Sequence, residues 1–331
     1  MNKAEVDEIF NRFSKIRAIV IGDAMVDTYL WGKVDRLSPE APVPIVSVTT
    51  RENRLGGAAN VSRNIQELGA TPKLFAVVGD DDNGKEFLNL LDKRKVSSEG
   101  IFIDPSRNTT VKNRVISSGK QIVRIDEESI DYISEEMENK LIDAIKTEME
   151  THQVDVIVFV DYDKGVVTPN LFKTINELAQ EKGIPTSVDP KKRNFSNYKN
   201  VSLFKPNFKE FVEGTRFPLK KGDLENLKKA AETFKAEHQL KLILITLSEL
   251  GVFIINGEEE QYYPVAIRDI ADVSGAGDTV IAVASLAMAA GLPPKIIALL
   301  SNLAGGLVCE KVGVVPVDQT QLKKEMKSQK I

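Results

Sequence analysis

The sequence predicts an α/β protein in which helices cover both faces of a parallel sheet. Short apolar runs alternate with longer amphipathic segments along most of the chain, as strands and helices do in this fold class. Polar clusters directly follow several of the apolar runs, which is expected where strands end at one edge of a sheet. Of the 331 residues, 42% are hydrophobic and 28% are charged, which suits a globular protein with a large core.

Composition excludes several classes of protein. The net charge of −4 gives no electrostatic support for a nucleic-acid partner. Cys309 is the single cysteine, which rules out an internal disulfide and favours a reducing compartment. No apolar run reaches the ~18 residues needed to cross a bilayer, and Met1–Lys15 contains no signal-peptide core. We therefore expect a cytoplasmic protein with no membrane partner.

The apolar runs predict the strands of the main sheet. In chain order they are Arg17–Ile21, Leu74–Val78, Val154–Val160, Pro185–Val188, Val201–Phe204 and Leu242–Thr246. Helical spacing of apolar residues predicts the helices Val61–Leu68, Asn83–Lys95, Glu135–Glu150, Thr168–Glu181 and Thr279–Ala290. Thr168 followed by Pro169 is typical of a helix start, because threonine caps free backbone amides and proline suits the first helical position.

Two segments, Ala24–Thr50 and Thr109–Ile125, depart from this alternation. Both have extended character with polar residues at alternate positions, which predicts half-exposed strands. We expect them to form a small antiparallel sheet that projects from the main body and acts as a lid over a ligand. A pair of surface hairpins is equally compatible with the pattern. An exposed apolar face on such a sheet would favour pairing with a second copy.

The segment Asp272–Asp278 has the sequence Asp-Val-Ser-Gly-Ala-Gly-Asp and precedes an apolar helix. Gly275, Ala276 and Gly277 have small side chains or none, so their backbone amides can converge on an anion at the positive end of the helix. The carboxylate of Asp278 is placed at the same point. A carboxylate beside a bound anion is electrostatically unfavourable, so we expect a functional reason for it. Accepting a proton from a hydroxyl that attacks a phosphoryl group would be such a reason. An ordinary glycine-rich helix start is the alternative.

A second small-residue segment, Gly56–Asn60, follows an extended run and opens a helix. Gly56 and Gly57 permit close approach of a ligand to the backbone, and Asn60 offers a donor and an acceptor for a sugar hydroxyl. The segment lacks the G-x-G-x-x-G spacing of dinucleotide-binding proteins, which disfavours a nicotinamide oxidoreductase.

The segment Gly79–Lys85 has the spacing of a P-loop but not its chemistry. Glu86 stands where serine or threonine would bind magnesium, and three aspartates would repel a triphosphate. We interpret this segment as a turn and a helix cap.

Polar residues follow two further strands. Asp23 and Asp27 come after the first strand, where a carboxylate can accept hydrogen bonds from sugar hydroxyls; a helix cap or a solvated turn is the alternative, with equal weight for Asp23. Asn207 and Glu210 follow Val201–Phe204 and can hold a magnesium–phosphate group through metal-bound water.

These motifs together resemble the PfkB/ribokinase family of carbohydrate kinases, over nearly the whole chain. The family's glycine-rich signature is similar to Leu55–Ala70, and its second signature, D-x-[ST]-G-A-G-D, is matched in full by Asp272–Asp278. The resemblance implies a single ribokinase-like kinase domain over residues 1–331, built as a three-layer α/β/α sandwich. It also implies a small β-sheet lid, formed by about 24–50 and 109–125, that often pairs in a homodimer.

The resemblance implies a role for each matched position. The positions similar to the catalytic base and the anion hole are Asp278, Gly275, Ala276 and Gly277. The positions similar to sugar contacts are Asp27, Gly56, Gly57 and Asn60. The positions where the family holds ATP are Asn207, Glu210, Thr246, Ser248, Gly251 and Asn302; the first two match its N-x-x-E motif, which organises Mg²⁺ and phosphate. Asp272 is similar to the family's ligand for a monovalent cation such as K⁺.

The two lid segments give a closer resemblance. Leu37–Pro44 and Thr110–Asp126 are similar to segments of bacterial D-glycero-β-D-manno-heptose-7-phosphate kinases, which phosphorylate the anomeric 1-hydroxyl with ATP on the route to ADP-heptose for lipopolysaccharide. A sugar phosphate as acceptor requires cations, and Lys112, Arg114 and Arg124 alternate on the predicted lid strands. Solvated charges that protect a sheet edge are the alternative.

Many such kinases carry a nucleotidyltransferase domain with the motif H-x-G-H, which this sequence does not contain. We therefore expect the kinase step alone, with the nucleotide added by a separate protein or by another part of a bifunctional one. Kinases of fructose phosphate, ribose or a nucleoside are the alternatives within the family. A non-catalytic sugar-binding protein is disfavoured by the intact Gly-Ala-Gly-Asp.

Overall fold

The computed structural model describes residues 1–257, 259–264 and 268–329. Its helices are α1 (Lys3–Phe13), α2 (Ala58–Glu67), α3 (Asp82–Lys93), α4 (Glu135–Thr151), α5 (Pro169–Glu181), α6 (Phe208–Thr215), α7 (Leu224–His238), α8 (Ala276–Ala289), α9 (Pro294–Cys309) and α10 (Gln319–Ser328). Its strands are β1 (Arg17–Gly22), β2 (Ala24–Leu37), β3 (Pro44–Gly57), β4 (Thr71–Gly79), β5 (Ile101–Asp104), β6 (Val111–Ser117), β7 (Lys120–Glu127), β8 (Val156–Val160), β9 (Thr186–Asp189), β10 (Leu203–Phe204), β11 (Leu242–Thr246), β12 (Val252–Ile255) and β13 (Glu260–Tyr263).

The main sheet has the strand order β13-β12-β11-β10-β9-β8-β1-β4-β5. Its strands from β11 to β5 pair in parallel, as predicted. At the other edge the prediction of a parallel sheet is wrong, because β12 and β13 are antiparallel to their neighbours. Only residues 247–251 separate β11 from β12. A connection this short cannot carry a helical crossover, so the chain folds back on itself.

Helices pack on both faces of this sheet. Side chains of β1 alternate between two separate apolar clusters, with Ala18 and Val20 in one and Ile19 and Ile21 in the other. The first cluster also receives side chains from α1, α2, α3, α8, α9 and α10, and the second from α4, α5, α6 and α7. From its second residue, Ala18, the strand is buried because both of its faces are covered, which explains its continuous apolar sequence. Among the described residues, no helix combines the length and apolar character needed to cross a bilayer.

A separate four-stranded sheet has the order β3-β2-β6-β7. The strands β2 and β3 are antiparallel, as are β6 and β7, but the central pair β2 and β6 is parallel. The prediction of an antiparallel sheet is therefore wrong at its centre. A single residue, Asp23, separates the carboxyl end of β1 from β2, and β6 follows the carboxyl end of β5. Both hairpins thus leave the same edge of the main sheet, and their first strands run in the same direction.

Two predicted helix starts have the expected caps. The hydroxyl of Thr168 accepts the N–H of Leu171 at 3.0 Å, with Pro169 as the first helical residue. The carboxylate of Asp81 accepts the N–H of Gly84 at 2.7 Å. The P-loop-like segment is therefore a turn and a helix cap, as predicted.

Candidate active site

The carboxylate of Asp278 lies in the first turn of α8 and is enclosed by two hydrogen-bond donors. The hydroxyl of Tyr162 donates to Oδ1 at 2.6 Å, and Nδ2 of Asn60 donates to Oδ2 at 2.8 Å. Gly275 precedes the helix with a φ of 81°, a left-handed conformation that favours glycine. This turn brings the carboxylate and the first backbone amides of α8 to the same place.

Burial raises the pKa of Asp278 from its ordinary value of 3.8 to about 7. The two donors oppose this shift because they stabilise the ionised form, whereas the negative charges of Asp189 and Asp27 add to it. The residue is 3% exposed, so solvent screens these interactions little. A carboxylate with such a pKa can accept and release a proton near neutral pH.

The carboxylate of Asp27 packs against Gly56. A Cβ at position 56 would lie 2.0 Å from Oδ2 of Asp27, so this approach requires glycine. A guanidinium nitrogen of Arg114 donates a hydrogen bond to the same carboxylate. Burial raises the pKa of Asp27, and the charge of Arg114 opposes the shift. Gly57 has a φ of 57°, which lets β3 turn into α2 beside this group.

The carboxylate of Asp23 accepts hydrogen bonds from the backbone of the loop after β8. Its Oδ2 accepts the backbone N–H groups of Tyr162 and Lys164 at 2.7 and 3.0 Å, and its Oδ1 accepts that of Val166 at 3.0 Å. The residue is 1% exposed, so it is neither a solvated turn acid nor free to accept from a sugar. These bonds fix the loop after β8 and thereby the ring of Tyr162.

A cleft of about 440 Å³ opens beside the N-terminus of α8. All six residues assigned to the nucleotide line it, namely Asn207, Glu210, Thr246, Ser248, Gly251 and Asn302. Ala276 and Gly277 line it as well, whereas Asp278 contacts it through Tyr162, which is part of its wall. The cleft and the carboxylate are therefore adjacent, with the glycine-rich turn between them.

Charged residues of both signs line one end of the cleft. Nζ of Lys205 lies 2.9 Å from Oδ1 of Asp189, and Lys191 forms an ion pair with Glu210. Asn207 and Glu210 form a reciprocal cap at the start of α6, at 2.8 and 2.9 Å. Carboxylate and amide oxygens beside two lysines suit a magnesium–phosphate group held through metal-bound water. The donor set at this end of the cleft therefore fits such a group.

The three predicted lid cations lie on one face of the four-stranded sheet, with different partners. Arg114 is buried against Asp27. Nζ of Lys112 lies 3.2 Å from Asp126, and Nε of Arg124 lies 2.8 Å from the same carboxylate. Arg124 is directly opposite Arg114 in the strand register. Only Arg114 among the three contacts a residue assigned to the acceptor.

Asp272 connects the glycine-rich turn to the segment before α10. Its Oδ1 accepts the N–H of Ser274 and its Oδ2 that of Gly313, both at 2.9 Å. Within the described ranges, no three His, Cys, Asp or Glu side chains lie close enough together to hold a metal ion.

Three residues around the site are absent from the sequence-based assignments. Tyr162 contacts Asp278, Lys191 contacts Glu210, and Lys205 is buried at the cleft wall. Each follows the carboxyl end of a buried strand, and this position was the sequence signal that could have identified it as a site residue. The sequence pattern marks such positions as polar but does not say which side chains meet.

Comparison with known proteins identifies the family of this chain. The model of the pfkB family carbohydrate kinases matches residues 15–321. A bifunctional protein HldE from Pelobacter propionicus is 40% identical over 97% of this chain and 65% of its own length. The chain thus spans about 65% of the length of the curated relatives it matches first.

Solved structures share the fold at lower identity. Phosphofructokinase-2 from Escherichia coli, in complex with potassium, has a TM-score of 0.79 and 20% identity, covering 95% of this chain and 99% of its own. Ribokinase from Arabidopsis thaliana, complexed with ribose and ATP, has a TM-score of 0.72 and 16% identity, covering 93% and 98%. The predicted ribokinase-like α/β fold is confirmed, and the chain belongs to the pfkB family of carbohydrate kinases.

Proposed function

We propose that this chain transfers the γ-phosphoryl group of ATP to the anomeric 1-hydroxyl of D-glycero-β-D-manno-heptose 7-phosphate. Membership of a carbohydrate kinase family supports phosphoryl transfer to a sugar hydroxyl. The observation that carries the proposal is the buried carboxylate of Asp278, with a pKa of about 7, beside a glycine-rich turn and a cleft.

In this reaction Asp278 accepts the proton of the acceptor hydroxyl. The oxygen attacks the γ-phosphorus, the bond between that phosphorus and the β,γ-bridging oxygen breaks, and ADP leaves. The backbone amides at Gly275 and Gly277 would stabilise the charge that develops on the transferred group, and that of Ala276 would join them on leaving its present acceptor, the carbonyl oxygen of Val273 at 3.3 Å. Tyr162 and Asn60 hold the carboxylate in place through their hydrogen bonds. Asp278 then releases its proton to solvent.

The cleft is proposed to hold the nucleotide with Mg²⁺. Asn207 and Glu210 would hold the hydrated ion, which supplies charge neutralisation for the phosphates when bound. Lys191 and Lys205 line the cleft as well and would contact phosphate oxygens in addition to their carboxylate partners, Glu210 and Asp189. Thr246, Ser248, Gly251 and Asn302 line the remainder of the cleft and are proposed to contact ATP.

The acceptor is proposed to lie between Asp278 and the four-stranded sheet. Asp27, Gly56, Gly57 and Asn60 would contact its hydroxyl groups, and Lys112, Arg114 and Arg124 its distant phosphate. The buried pair of Asp27 and Arg114 supports this placement, because it brings a lid cation into contact with a residue assigned to the acceptor. Similarity to proteins named HldE over 97% of the chain supports a heptose phosphate over the other acceptors of the family.

Two further parts of the proposal are a monovalent cation and a homodimer. Asp272 would be the ligand of K⁺, near the turn at Gly275. The four-stranded sheet would act as a lid and pair with that of a second copy. All residues of β7, at one edge of the sheet, are exposed, and so are the apolar side chains of Leu37, Val48 and Ile125, by 64%, 52% and 53%. An exposed apolar edge of this kind favours pairing.

The experiment that tests the function is an ADP-release assay with heptose 7-phosphate, fructose 6-phosphate, ribose and a nucleoside as acceptors. We expect the highest kcat/KM with heptose 7-phosphate. Asp278→Asn should lower kcat by about 10²- to 10⁴-fold, since the general base is lost. Asp82→Asn removes a carboxylate that is 99% exposed and should leave kcat unchanged. Near-normal turnover in Asp278→Asn would contradict the assignment of the base, and preference for ribose would contradict the acceptor.

A further inference from the structure

A second cavity, of about 240 Å³, lies outside the candidate active site. It is formed by the edge strand β3, the helices α2 and α3, and residues 314–316. It shares no lining residue with the cleft beside α8. Its charged lining residues are three arginines, Arg54, Arg63 and Arg94, and one carboxylate, Glu52. The cavity therefore carries an excess of two positive charges.

The three arginines differ in how far their hydrogen bonds are satisfied. Arg54 donates to both carboxylate oxygens of Glu52, at 2.8 and 2.9 Å, and to the carbonyl oxygens of Val312 and Val314. Its guanidinium is thus held by the protein, and Glu52 neutralises it. The carboxylate in the cavity is therefore already occupied by Arg54, and it forms no ion pair with the other two arginines.

Arg63 has a buried donor with no acceptor. Its Nε is inaccessible to solvent and makes no hydrogen bond among the described residues. Within residues 1–257, 259–264 and 268–329, its only ion pair runs from Nη2 to Glu67 at 3.3 Å, and that glutamate side chain is 48% exposed. Burial and the nearby charge of Arg94 lower the pKa of Arg63. A buried guanidinium donor without an acceptor is costly, and an anion would satisfy it.

Arg94 is the third arginine that lines this cavity. It follows the last turn of α3 and is exposed, and within the described part of the chain its guanidinium has no hydrogen bond or ion pair. Two arginines that face one cavity repel each other unless an anion lies between them. Guanidinium groups suit phosphate oxygens because two parallel N–H donors match two oxygens.

We propose that this cavity is a binding site for a phosphate group, held by Arg63 and Arg94 and braced by Arg54. The excess of two positive charges among the lining residues matches a phosphate dianion better than a single carboxylate. The phosphate belongs either to a separate small metabolite or to the far end of the acceptor, which in the second case would lie here and not against Lys112, Arg114 and Arg124.

Isothermal titration calorimetry with inorganic phosphate, at constant ionic strength, tests the site without any catalytic turnover. We expect Arg63→Gln and Arg94→Gln each to weaken phosphate binding by about 10- to 100-fold, because each removes a charged hydrogen-bond donor. Arg51→Gln is the matched control. Arg51 is an exposed arginine of β3, the strand that also carries Arg54, and it does not line the cavity. Arg94 is exposed, so its variant tests the site even if Arg63→Gln folds poorly. Phosphate affinities of Arg63→Gln and Arg94→Gln within twofold of the unmodified protein would overturn the proposal, as would an equal loss in Arg51→Gln.

A second titration, into protein saturated with heptose 7-phosphate, identifies the source of the phosphate and rests on the proposed function. Loss of the Arg63-dependent binding assigns the site to the acceptor's own phosphate. Unchanged binding assigns it to a separate metabolite. The first titration stands independently of this one, so failure of the proposed acceptor would leave the phosphate site testable.

Discussion

Replacing Asp278 with asparagine should make the stability of the fold less dependent on pH. In the native protein the pKa of this carboxyl is raised from 3.8 to about 7, chiefly by burial. An unfolded chain releases the proton near pH 4, whereas the native protein retains it until near pH 7. Stability is therefore unaffected by this group below pH 3.8, falls as the pH rises, and reaches its lowest contribution above pH 7. Asparagine cannot ionise and lacks this dependence.

The size of the effect follows from the shift. Each unit of difference in pKa corresponds to about 1.4 kcal/mol. Between pH 5 and pH 8, ionisation of Asp278 should cost the native protein roughly 2 to 3 kcal/mol of its free energy of unfolding. The residue is 3% exposed, so no large correction for solvent screening applies. The asparagine variant can keep its oxygen towards Nδ2 of Asn60, but its amide nitrogen then faces the Tyr162 hydroxyl, which must accept a hydrogen bond there and lose the one it donates to Asp278. That cost is the same at every pH.

Urea unfolding followed by circular dichroism at pH 5, 6, 7 and 8 provides the measurement. The free energy of unfolding of the native protein minus that of the variant should fall by roughly 2 to 3 kcal/mol across this range. Other buried carboxyls are present in both proteins and cancel in the difference to first order. Asp82→Asn, which removes an exposed carboxylate, should show no such trend. A difference that stays constant from pH 5 to pH 8 would refute the raised pKa and the burial that causes it.

Three further variants test the surroundings of this carboxylate. Tyr162→Phe removes the hydrogen-bond donor to Oδ1 of Asp278, so the pKa of that carboxyl should rise. In a plot of kcat/KM against pH, the acidic limb should therefore move up by about one pH unit. An unmoved limb would mean that this hydrogen bond does not set the pKa of the base. Gly56→Ala would place a Cβ 2.0 Å from Oδ2 of Asp27, so the KM of the sugar should rise about tenfold or more while that of ATP is unchanged, as steady-state kinetics can measure. Arg114→Met leaves Asp27 buried without its partner, so urea unfolding should show a loss of about 3 to 5 kcal/mol; the same loss in the double variant with Asp27→Asn would exclude a direct coupling.

Sequence patterns predicted the central part of the fold well. The six predicted strands of the main sheet are present with ends within three residues of the observed ones, because each is a continuous apolar run buried on both faces. β10 shows the limit of this signal, since only Leu203–Phe204 pair within the longer apolar run. β13 was not predicted because Glu260–Tyr263 has no apolar run, whereas β12 was left unassigned although Val252–Ile255 is a buried apolar run.

The candidate site was predicted as a set of residues but not as a geometry. The local structure of the Gly-Ala-Gly-Asp motif is predictable from the motif itself, because the positive φ at Gly275 and the start of α8 lie within one short segment. The contact of Asp278 with Tyr162 joins residues far apart in the chain. No local pattern can specify such a contact, because it depends on the packing of β8 against α8 and on the bonds that Asp23 makes to the intervening loop. The same holds for the pairing of Arg114 with Asp27.

The parallel pairing of β2 with β6 has a consequence for the order in which the molecule assembles. Val26 lies opposite Val111, and α2, β4, α3 and β5 lie between them in the chain. Closing so long a loop is entropically unfavourable until those intervening elements have already condensed. The four-stranded sheet should therefore form late during refolding and open early during unfolding. In native-state hydrogen exchange, the amides that join β2 to β6 should lose protection before those that join β1 to β8.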